Sequence, residues 1–329
     1  MEKYSYSKVE SYRKCPFKYL LKYVEGKYLT YNTVATEFGT LVHRVEEHIG
    51  NVLKDGGEPD YGECLRMFLE GDGEVLGANA LRRKYADEWD VRNKDGMSYA
   101  DKADAYASSG MYRLERYVRE RGLSVYATEL RVRLDYKGRL FEGSIDRVLR
   151  DPVTGGYIIE DVKTYTKRLA PKELREALQM YVYGKALRES LPEAERDALI
   201  SYAYDLPLID ARQVAELDGA AIERNLDESF LGISIRDFHP EPTPLCHWCE
   251  YCNTNPHQPE AGRNLCPYYM RWTQDDKTRS VENRWMGPAR HKAVMEGWLR
   301  RLAGPGADGG REDAPRGDGR VRLRIRPDR

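Results

Sequence analysis

Three consecutive segments in the middle of the chain alternate between apolar and polar residues with a period of two. They read ELRVRLDY from Glu129, RLFEGSIDRVLR from Arg139 and YIIEDVKTY from Tyr157, and turns over 136–138 and 151–156 separate them. Because successive side chains of a β-strand point to opposite faces, this pattern predicts three strands joined as hairpins. The pattern restricts the fold strongly, since strands joined in this way lie side by side in one sheet.

Helical periodicity surrounds these strands. A helix is expected to begin near Thr36, and residues 61–121 are typical of several helices inserted before the strands. Pro171 introduces a further helix over 172–189, and the composition of Ile200–Leu206 predicts another strand. Helices on both sides of a strand-rich centre predict an α/β fold.

Two acidic residues and a lysine lie within the strands. Asp161 and Lys163 are two residues apart and therefore project from the same face of the third strand, and Asp146 lies near the centre of the second. Two carboxylates from adjacent strands beside an ammonium group form a site that suits Mg²⁺ or Mn²⁺ and a phosphate. The spacing alone favours the alternative, an Asp–Lys ion pair on an exposed sheet face, because charged pairs on strands are common.

Two helical pairs have the four-residue spacing that puts side chains on one face. Gln179 and Tyr183 either orient a substrate or are a solvated glutamine and a core tyrosine. His43, four residues before Glu47, is either a metal ligand that favours Mn²⁺ or a hydrogen-bonded histidine of an amphipathic helix. A zinc-protease motif is excluded, because His43 and His48 are five residues apart and about 140° apart around a helix.

Four of the six cysteines lie close together near the C-terminal side. Cys246, Cys249 and Cys252 have the spacing that lets neighbouring thiolates reach one metal, and Cys266 follows a polar loop. Such clustering indicates metal ligation and not disulfides, but it does not separate zinc from an iron–sulfur cluster. Cys64, in the amphipathic stretch ECLRMFL, is interpreted as a small buried apolar residue.

Charge and hydropathy restrict the partners. Lys plus Arg number 53 and Asp plus Glu 54, a net charge of -1, so nucleic acid would have to bind in a local groove. We expect that channel to contain Lys163, Lys167 and Arg168, with stacking from tyrosines and a preference for single strands or frayed ends. No run approaches the roughly 18 apolar residues of a membrane span and the first residues do not resemble a signal peptide, so we expect no membrane partner and a cytoplasmic location in a bacterial, archaeal or virus-infected cell.

Six motifs in order resemble those of a known family: YSKVESYRKCPFKY, FGTLVHRVEE, EGSIDRVLRD, IIEDVKTY, LQMYVYGKAL and the cysteines. Over nearly all of residues 4–267 the chain resembles the RecB-like branch of the PD-(D/E)XK nucleases, which includes the nuclease domains of RecB and AddB and the CRISPR-adaptation exonucleases. The resemblance implies a restriction-endonuclease-like core with a central mixed sheet flanked by helices. It also implies a helical insertion and a 4Fe-4S iron–sulfur cluster that clasps the two ends of the fold.

The resemblance assigns roles to individual residues. The divalent metal, Mg²⁺ or Mn²⁺, would be bound by His43, Asp146, Asp161 and the backbone carbonyl of Val162. Lys163 would be the active-site lysine. Gln179 and Tyr183 match the Gln-x-x-x-Tyr motif, which supports the active site and contacts nucleic acid.

The cluster would be held by Cys15, which matches the N-terminal ligand, and by Cys246 and Cys249. The fourth ligand is either Cys266 or Cys252. We favour Cys266, because it precedes a proline, as the remote ligand of iron–sulfur proteins often does, and because the polar loop over 253–264 would return it to the site.

The resemblance also divides the chain into five parts. They are N-terminal helices with the first cluster cysteine and the metal-ligand histidine (1–43), a helical insertion (44–127), the nuclease core (128–239), the cysteine-rich cluster segment (240–270) and a C-terminal extension (271–329). The extension lies outside the resemblance, and its Gly, Asp and Arg content over 304–319 predicts partial disorder. The final VRLRIR nevertheless alternates like a strand.

The expected protein is therefore a Mg²⁺- or Mn²⁺-dependent DNA exonuclease that hydrolyses phosphodiester bonds at ends or in single strands. Its setting would be DNA repair, recombination, phage replication or CRISPR adaptation, with a helicase, integrase or recombination partner. The alternatives are a non-catalytic DNA-binding scaffold subunit of a repair complex and a zinc-stapled structural protein. Asp146, Asp161 and Lys163 together argue against the scaffold, and an iron assay separates the zinc protein from the nuclease.

Overall fold

The computed structural model describes residues 3–29, 32–241, 246, 248–252, 255, 258–263, 265–266, 268–274 and 279–285. The chain forms two compact units. The first unit contains the residues up to Tyr6 and Asn32–Asn225, and the second contains the segment that starts at Ser7 and the residues from Leu226 onward. The strand predicted for VRLRIR lies outside the described residues.

The first unit is built on a six-stranded mixed sheet. Its strands are β1 (Lys3–Tyr4), β2 (Ser124–Tyr136), β3 (Arg139–Arg150), β4 (Tyr157–Val162), β5 (Ile200–Leu206) and β6 (Ala211–Ala215). The strand order is β1-β3-β4-β5-β6, and β2 pairs with β3. Strands β2, β3 and β4 are successive antiparallel hairpins, as the alternating pattern predicts, whereas β1 joins β3 and β5 joins β4 in parallel.

Besides β2, strand β3 pairs with β1 near its beginning and with β4 near its end. β1 pairs with Leu140 and Phe141, and β4 pairs with the stretch from Arg147 to Arg150. Residues 142–146 of β3 therefore have, within the described chain, no strand beside them other than β2. The sheet therefore has an opening on this side of β3, between the end of β1 and the end of β4.

Helices of the first unit cover the sheet and form the insertion. They are α3 (Val34–Lys54), α4 (Tyr61–Glu70), α5 (Ala78–Lys84), α6 (Ala86–Trp89), α7 (Tyr99–Ser108), α8 (Arg113–Arg121), α9 (Pro171–Arg175) and α10 (Leu178–Ser190). Thr33 caps α3, since its hydroxyl accepts a hydrogen bond from the Thr36 amide at 3.2 Å. Phe38, Val42 and Val45 are on the buried stripe of α3 and belong to a core that the insertion helices share.

The helices and the sheet differ from the sequence expectation in several places. The helix predicted over 172–189 is two helices, α9 and α10, because the carbonyl of Arg175 accepts a hydrogen bond from the Asp218 amide at 2.9 Å instead of continuing the helical ladder. β4 ends at Val162 and not at Tyr165, so Lys163 directly follows the strand. β6 has no counterpart in the expectation.

In the second unit the N-terminal segment packs with residues that follow Leu226. The segment contains α1 (Tyr6–Lys14), α2 (Pro16–Tyr19) and a π-helical turn (Leu20–Val24). Phe17 and Tyr19 share a buried apolar cluster with Phe238 and Tyr251, and the Tyr12 hydroxyl donates to the carbonyl of Asp237 at 2.8 Å. Sequence-distant parts of the chain thus form one core.

Three further elements complete the described chain: α11 (Gly219–Ser234), β7 (Tyr268–Gln274) and β8 (Arg279–Trp285). β7 and β8 pair as an antiparallel hairpin, which the composition of the extension does not indicate. Among the helices described, none combines the length and the apolar character that crossing a membrane requires.

Candidate functional site

Asp146 and Asp161 lie where β3 and β4 separate. Arg147 and Glu160 are the last paired residues of the two strands, and each aspartate is the next residue on its strand. The amide of Val162 donates a hydrogen bond to Asp146 Oδ2 at 2.9 Å. Burial, and then the negative charge of Asp161, raise the pKa of Asp146 to about 7. Asp146 and the buried Asp161 are neighbouring carboxylates that repel each other, so a bound cation would stabilise the pair.

Lys163 supplies one positive charge at this opening. Its Nζ lies 2.6 Å from Asp161 Oδ2, on the same face of the chain, as the two-residue spacing predicts. Burial lowers the pKa of Lys163, whereas the negative charge of Asp161 and its hydrogen bond with Lys163 raise it. The raising effects outweigh burial, so the pKa of Lys163 lies above its ordinary value. Lys163 is therefore an ammonium group at neutral pH.

Helix α3 brings His43 to the same place. The Nδ1 atom of His43 lies 3.5 Å from Asp146 Oδ2. Burial, and then the positive charge of Lys163, lower the pKa of His43, although nearby carboxylates oppose this. A neutral imidazole is the form that ligates metal ions.

Glu129 is a residue of the site that the sequence reasoning missed. Thr128 pairs with Arg147 and Leu130 with Ile145, so Glu129 lies opposite Asp146. Counting back from the β2–β3 turn would have shown this. Donor atoms of His43, Glu129 and Asp146 all lie within 4.8 Å of one another, whereas Asp161 is outside this group of three. The backbone of Glu129 has φ of 43°, a conformation uncommon for a residue with a side chain, and strain of this kind is frequent at functional sites.

A cavity of about 10 Å³ is lined by these three residues and by Val162, Glu46, Glu47 and Arg147. That volume is of the order of a single water molecule or ion. Carboxylate oxygens with one imidazole suit Mg²⁺ or Mn²⁺, and the imidazole favours Mn²⁺. The donor set therefore fits the divalent cation that the sequence predicts.

Helix α10 places Gln179 and Tyr183 together. Gln179 Nε2 donates to the Tyr183 hydroxyl at 3.5 Å. The Tyr183 ring lies over Gly143 of β3, where a Cβ atom would be 2.8 Å from Tyr183 Cε1. Burial raises the pKa of Tyr183, and the charges of Asp146 and Asp161 raise it further. Tyr183 is thus within electrostatic range of both aspartates, and Gln179 contacts this tyrosine.

A buried ionic network lies beside the aspartates. The guanidinium of Arg147 is fully buried and donates to Glu160 at 2.5 Å, to Asp205 at 2.9 Å and to Glu46 at 3.0 Å. Glu46 belongs to α3, three residues after His43, and also accepts a hydrogen bond from Tyr106 at 3.0 Å. The network therefore joins α3, β3, β4 and β5 at the residues next to the candidate ligands.

The predicted cluster cysteines lie in the second unit. Five of them line one cavity of about 230 Å³: Cys15, Cys246, Cys249, Cys252 and Cys266. None of the five forms a disulfide. Burial raises the pKa of Cys249 to about 12 and also raises that of Cys15. Cys252 and Cys266 both line the cavity, so the choice of the fourth ligand stays open, while Cys64 is fully buried in the apolar core of the first unit.

The chain thus has an α/β core whose sheet opens beside clustered carboxylates, a histidine and a lysine. The chain belongs to the PD-(D/E)XK nuclease superfamily, whose family model matches residues 3–254. A crystal structure from Eubacterium rectale, described as that of a "Putative exonuclease", is similar over 75% of this chain and 87% of that chain, with 11% sequence identity and a TM-score of 0.40. No curated protein matches the chain.

Proposed function

We propose that the protein is a Mg²⁺- or Mn²⁺-dependent deoxyribonuclease of the RecB-like branch, which removes nucleotides from DNA ends or single strands. The convergence of His43, Asp146, Asp161 and Lys163 at the opening between β3 and β4 carries this proposal. A structural ion pair alone would not require a histidine from α3 and a third carboxylate, Glu129, at the same place.

The chain's own groups have distinct tasks. His43, Asp146 and Glu129 would hold the metal, with Asp161 and the Val162 carbonyl on the side of β4. The bound metal would acidify a water molecule and polarise the scissile phosphate. The ammonium of Lys163 would stabilise the negative charge that develops on the phosphate, and Tyr183 would orient the strand next to it.

End-labelled single-stranded and duplex DNA, with and without blocked ends, tests this proposal. We expect cleavage with Mn²⁺ or Mg²⁺ and none with EDTA. Asp146→Ala and Asp161→Ala should abolish cleavage and keep the fold, because removal of one carboxylate relieves repulsion. Lys163→Ala should lower the rate by roughly 10²-fold or more. Asp104→Ala, an exposed carboxylate of α7, serves as the matched control. Full activity of either aspartate variant, or activity in EDTA, would refute the proposal.

We also propose that the cysteines of the second unit hold a 4Fe-4S cluster. Five thiols around one cavity give the four thiolates that such a cluster needs, with Cys15 contributed by the N-terminal segment. Metal binding would release the thiol protons that burial otherwise retains. Lys18, which pairs with Glu250 at 2.7 Å, lies near enough to Cys15 and Cys249 for its charge to favour their thiolates.

A further inference from the structure

A cleft of the first unit begins immediately after Lys163. It has a volume of about 520 Å³, and one wall is the loop that follows β4, residues 164–169. The opposite walls come from the first turns of α3 and from the insertion, which contributes Tyr99 and Lys102 of α7. The cleft therefore lies between the loop next to Lys163 and helices outside the central sheet.

The loop carries an aromatic ring and two cations in four consecutive residues. Tyr165 is 48% exposed, and Lys167 and Arg168 are exposed as well. Within the described chain neither cation has an ion pair or a hydrogen-bond partner for its side chain. Free guanidinium and ammonium groups bind phosphates, and a free aromatic ring stacks on an unpaired base.

The other charged groups of the cleft are one ion pair and one hydrogen-bonded carboxylate. Asp95 of the insertion accepts a hydrogen bond from the Thr166 hydroxyl at 2.6 Å and pairs with Lys102 at 2.9 Å. Glu173 accepts the amide of Ala170 at 2.7 Å. Positive charge is therefore in excess in the cleft because of Lys167 and Arg168, while the Thr166–Asp95 bond fixes the loop against the insertion.

We propose that this cleft binds the single DNA strand next to the scissile phosphate, with Tyr165 stacking on a base and Lys167 and Arg168 holding phosphates. A cleft of about 520 Å³ has the volume to hold a few groups of one strand. Stacking on Tyr165 also requires a base whose face is free. The inference rests on the proposed nuclease function and specifies its substrate as single-stranded DNA.

Fluorescence anisotropy with a labelled DNA strand tests the inference in EDTA, where no cleavage occurs. We expect Lys167→Ala/Arg168→Ala to weaken binding roughly tenfold or more at low salt, and to reduce the slope of log K against log salt by about 1.4, which is two phosphate contacts. Tyr165→Ala should weaken binding roughly tenfold, whereas Tyr165→Phe should bind like the wild type. Lys54→Ala/Arg83→Ala removes two exposed cations elsewhere in the first unit and should change neither quantity.

The outcomes separate this inference from the nuclease proposal. Unchanged affinity and salt slope in the loop variants, or an end-blocked duplex that competes as well as a single strand of equal length, overturn the inference even if the wild type cleaves DNA. Loss of binding in the loop variants sustains it even if no cleavage is observed in the wild type with Mn²⁺ or Mg²⁺.

Discussion

The ring of Tyr183 occupies the space that Gly143 leaves by having no side chain. A Cβ atom at 143 would lie 2.8 Å from the ring, closer than carbon atoms approach without displacement. Gly39 of α3 is different, since a Cβ atom there would meet the Thr164 hydroxyl oxygen at an ordinary 3.6 Å. The two glycines form a matched pair near the same site.

We predict that Gly143→Ala lowers stability by about 1–3 kcal/mol, because the ring or the strand must move. Gly39→Ala should be neutral or stabilise by up to about 1 kcal/mol, since alanine favours a helix interior over glycine. Thermal unfolding of both variants measures this. Equal melting temperatures for the two would show that Tyr183 does not pack on Gly143 in solution.

Glu46 provides a prediction on pH. Burial raises its pKa to about 7, and Arg147 and Tyr106 offset only part of that effect. A raised pKa means that the native state binds the proton more tightly than the unfolded chain, where glutamate titrates near about 4.3. The contribution of Glu46 to stability is therefore present below about pH 4.3 and is lost as the pH rises through about 7.

The test compares wild type with Glu46→Gln, which resembles the protonated form, in urea unfolding at several pH values. Between the two pKa values, the free energy of unfolding of the wild type should decrease relative to that of the variant by at most about 1.4 kcal/mol per pH unit. Above pH 7 the difference between the two proteins should be constant. Below about pH 4.3 Glu46 is protonated in both the native and the unfolded state. The stability difference between the wild type and the variant should therefore not change with pH in that range, which serves as the control. A difference that does not vary with pH would mean that Glu46 titrates normally.

At the scale of elements, Arg147 joins α3, β4 and β5 to its own strand. Its three carboxylate partners are all buried, and each comes from a different element. A buried charge that loses its partner is costly, whereas an exposed ion pair contributes little. The network should therefore hold the four elements in the relative positions that bring His43 to Asp146.

We predict that Arg147→Met destabilises the protein by about 3–5 kcal/mol, because it leaves the buried Glu46 without a cation and removes one of the two arginines that pair with Glu160 and with Asp205. Arg119→Ala removes an exposed arginine, 57% accessible, that pairs with Glu58 and Glu115, and it should leave the unfolding midpoint nearly unchanged. Urea unfolding of both variants measures the difference. A small effect of Arg147→Met would mean that the apolar side chain replaces the network without loss.

At the scale of the whole molecule, the two candidate metal sites belong to different compact units. We predict that anaerobically purified protein contains iron and sulfide, that Cys266→Ser loses them, and that Cys252→Ser retains them. Effects at independent sites are separable, so Mn²⁺ binding in the first unit should persist in a Cys266→Ser protein that remains folded. Metal analysis and Mn²⁺ titration check both statements.

Three results would contradict this prediction. Zinc without iron after anaerobic purification would mean that the cysteines hold zinc and not an iron–sulfur cluster. The reverse behaviour of the two serine variants would make Cys252 the fourth ligand. Loss of Mn²⁺ affinity in a folded Cys266→Ser protein would show that the two sites depend on each other.

Local patterns determined part of the site. The co-facial placement of Asp161 and Lys163 depends only on their two-residue spacing, and the hairpins depend on alternation within each strand. The placement of Gln179 beside Tyr183 depends in the same way on one helical turn. Each of these relations is set by backbone geometry over a few residues, so the sequence is sufficient for it.

Other relations depend on register and packing between distant segments. Glu129 reaches Asp146 through the register of β2 with β3, and Arg147 finds its carboxylates only once three other elements pack around it. The contact of Asp95 with Thr166 likewise joins the insertion to the loop after β4. The sequence by itself determined the three hairpin strands β2–β4, the strand β5 and the helical pair of Gln179 and Tyr183. Only the tertiary structure decided which distant side chains share it, because burial and pairing energies act between residues that the chain order does not bring together.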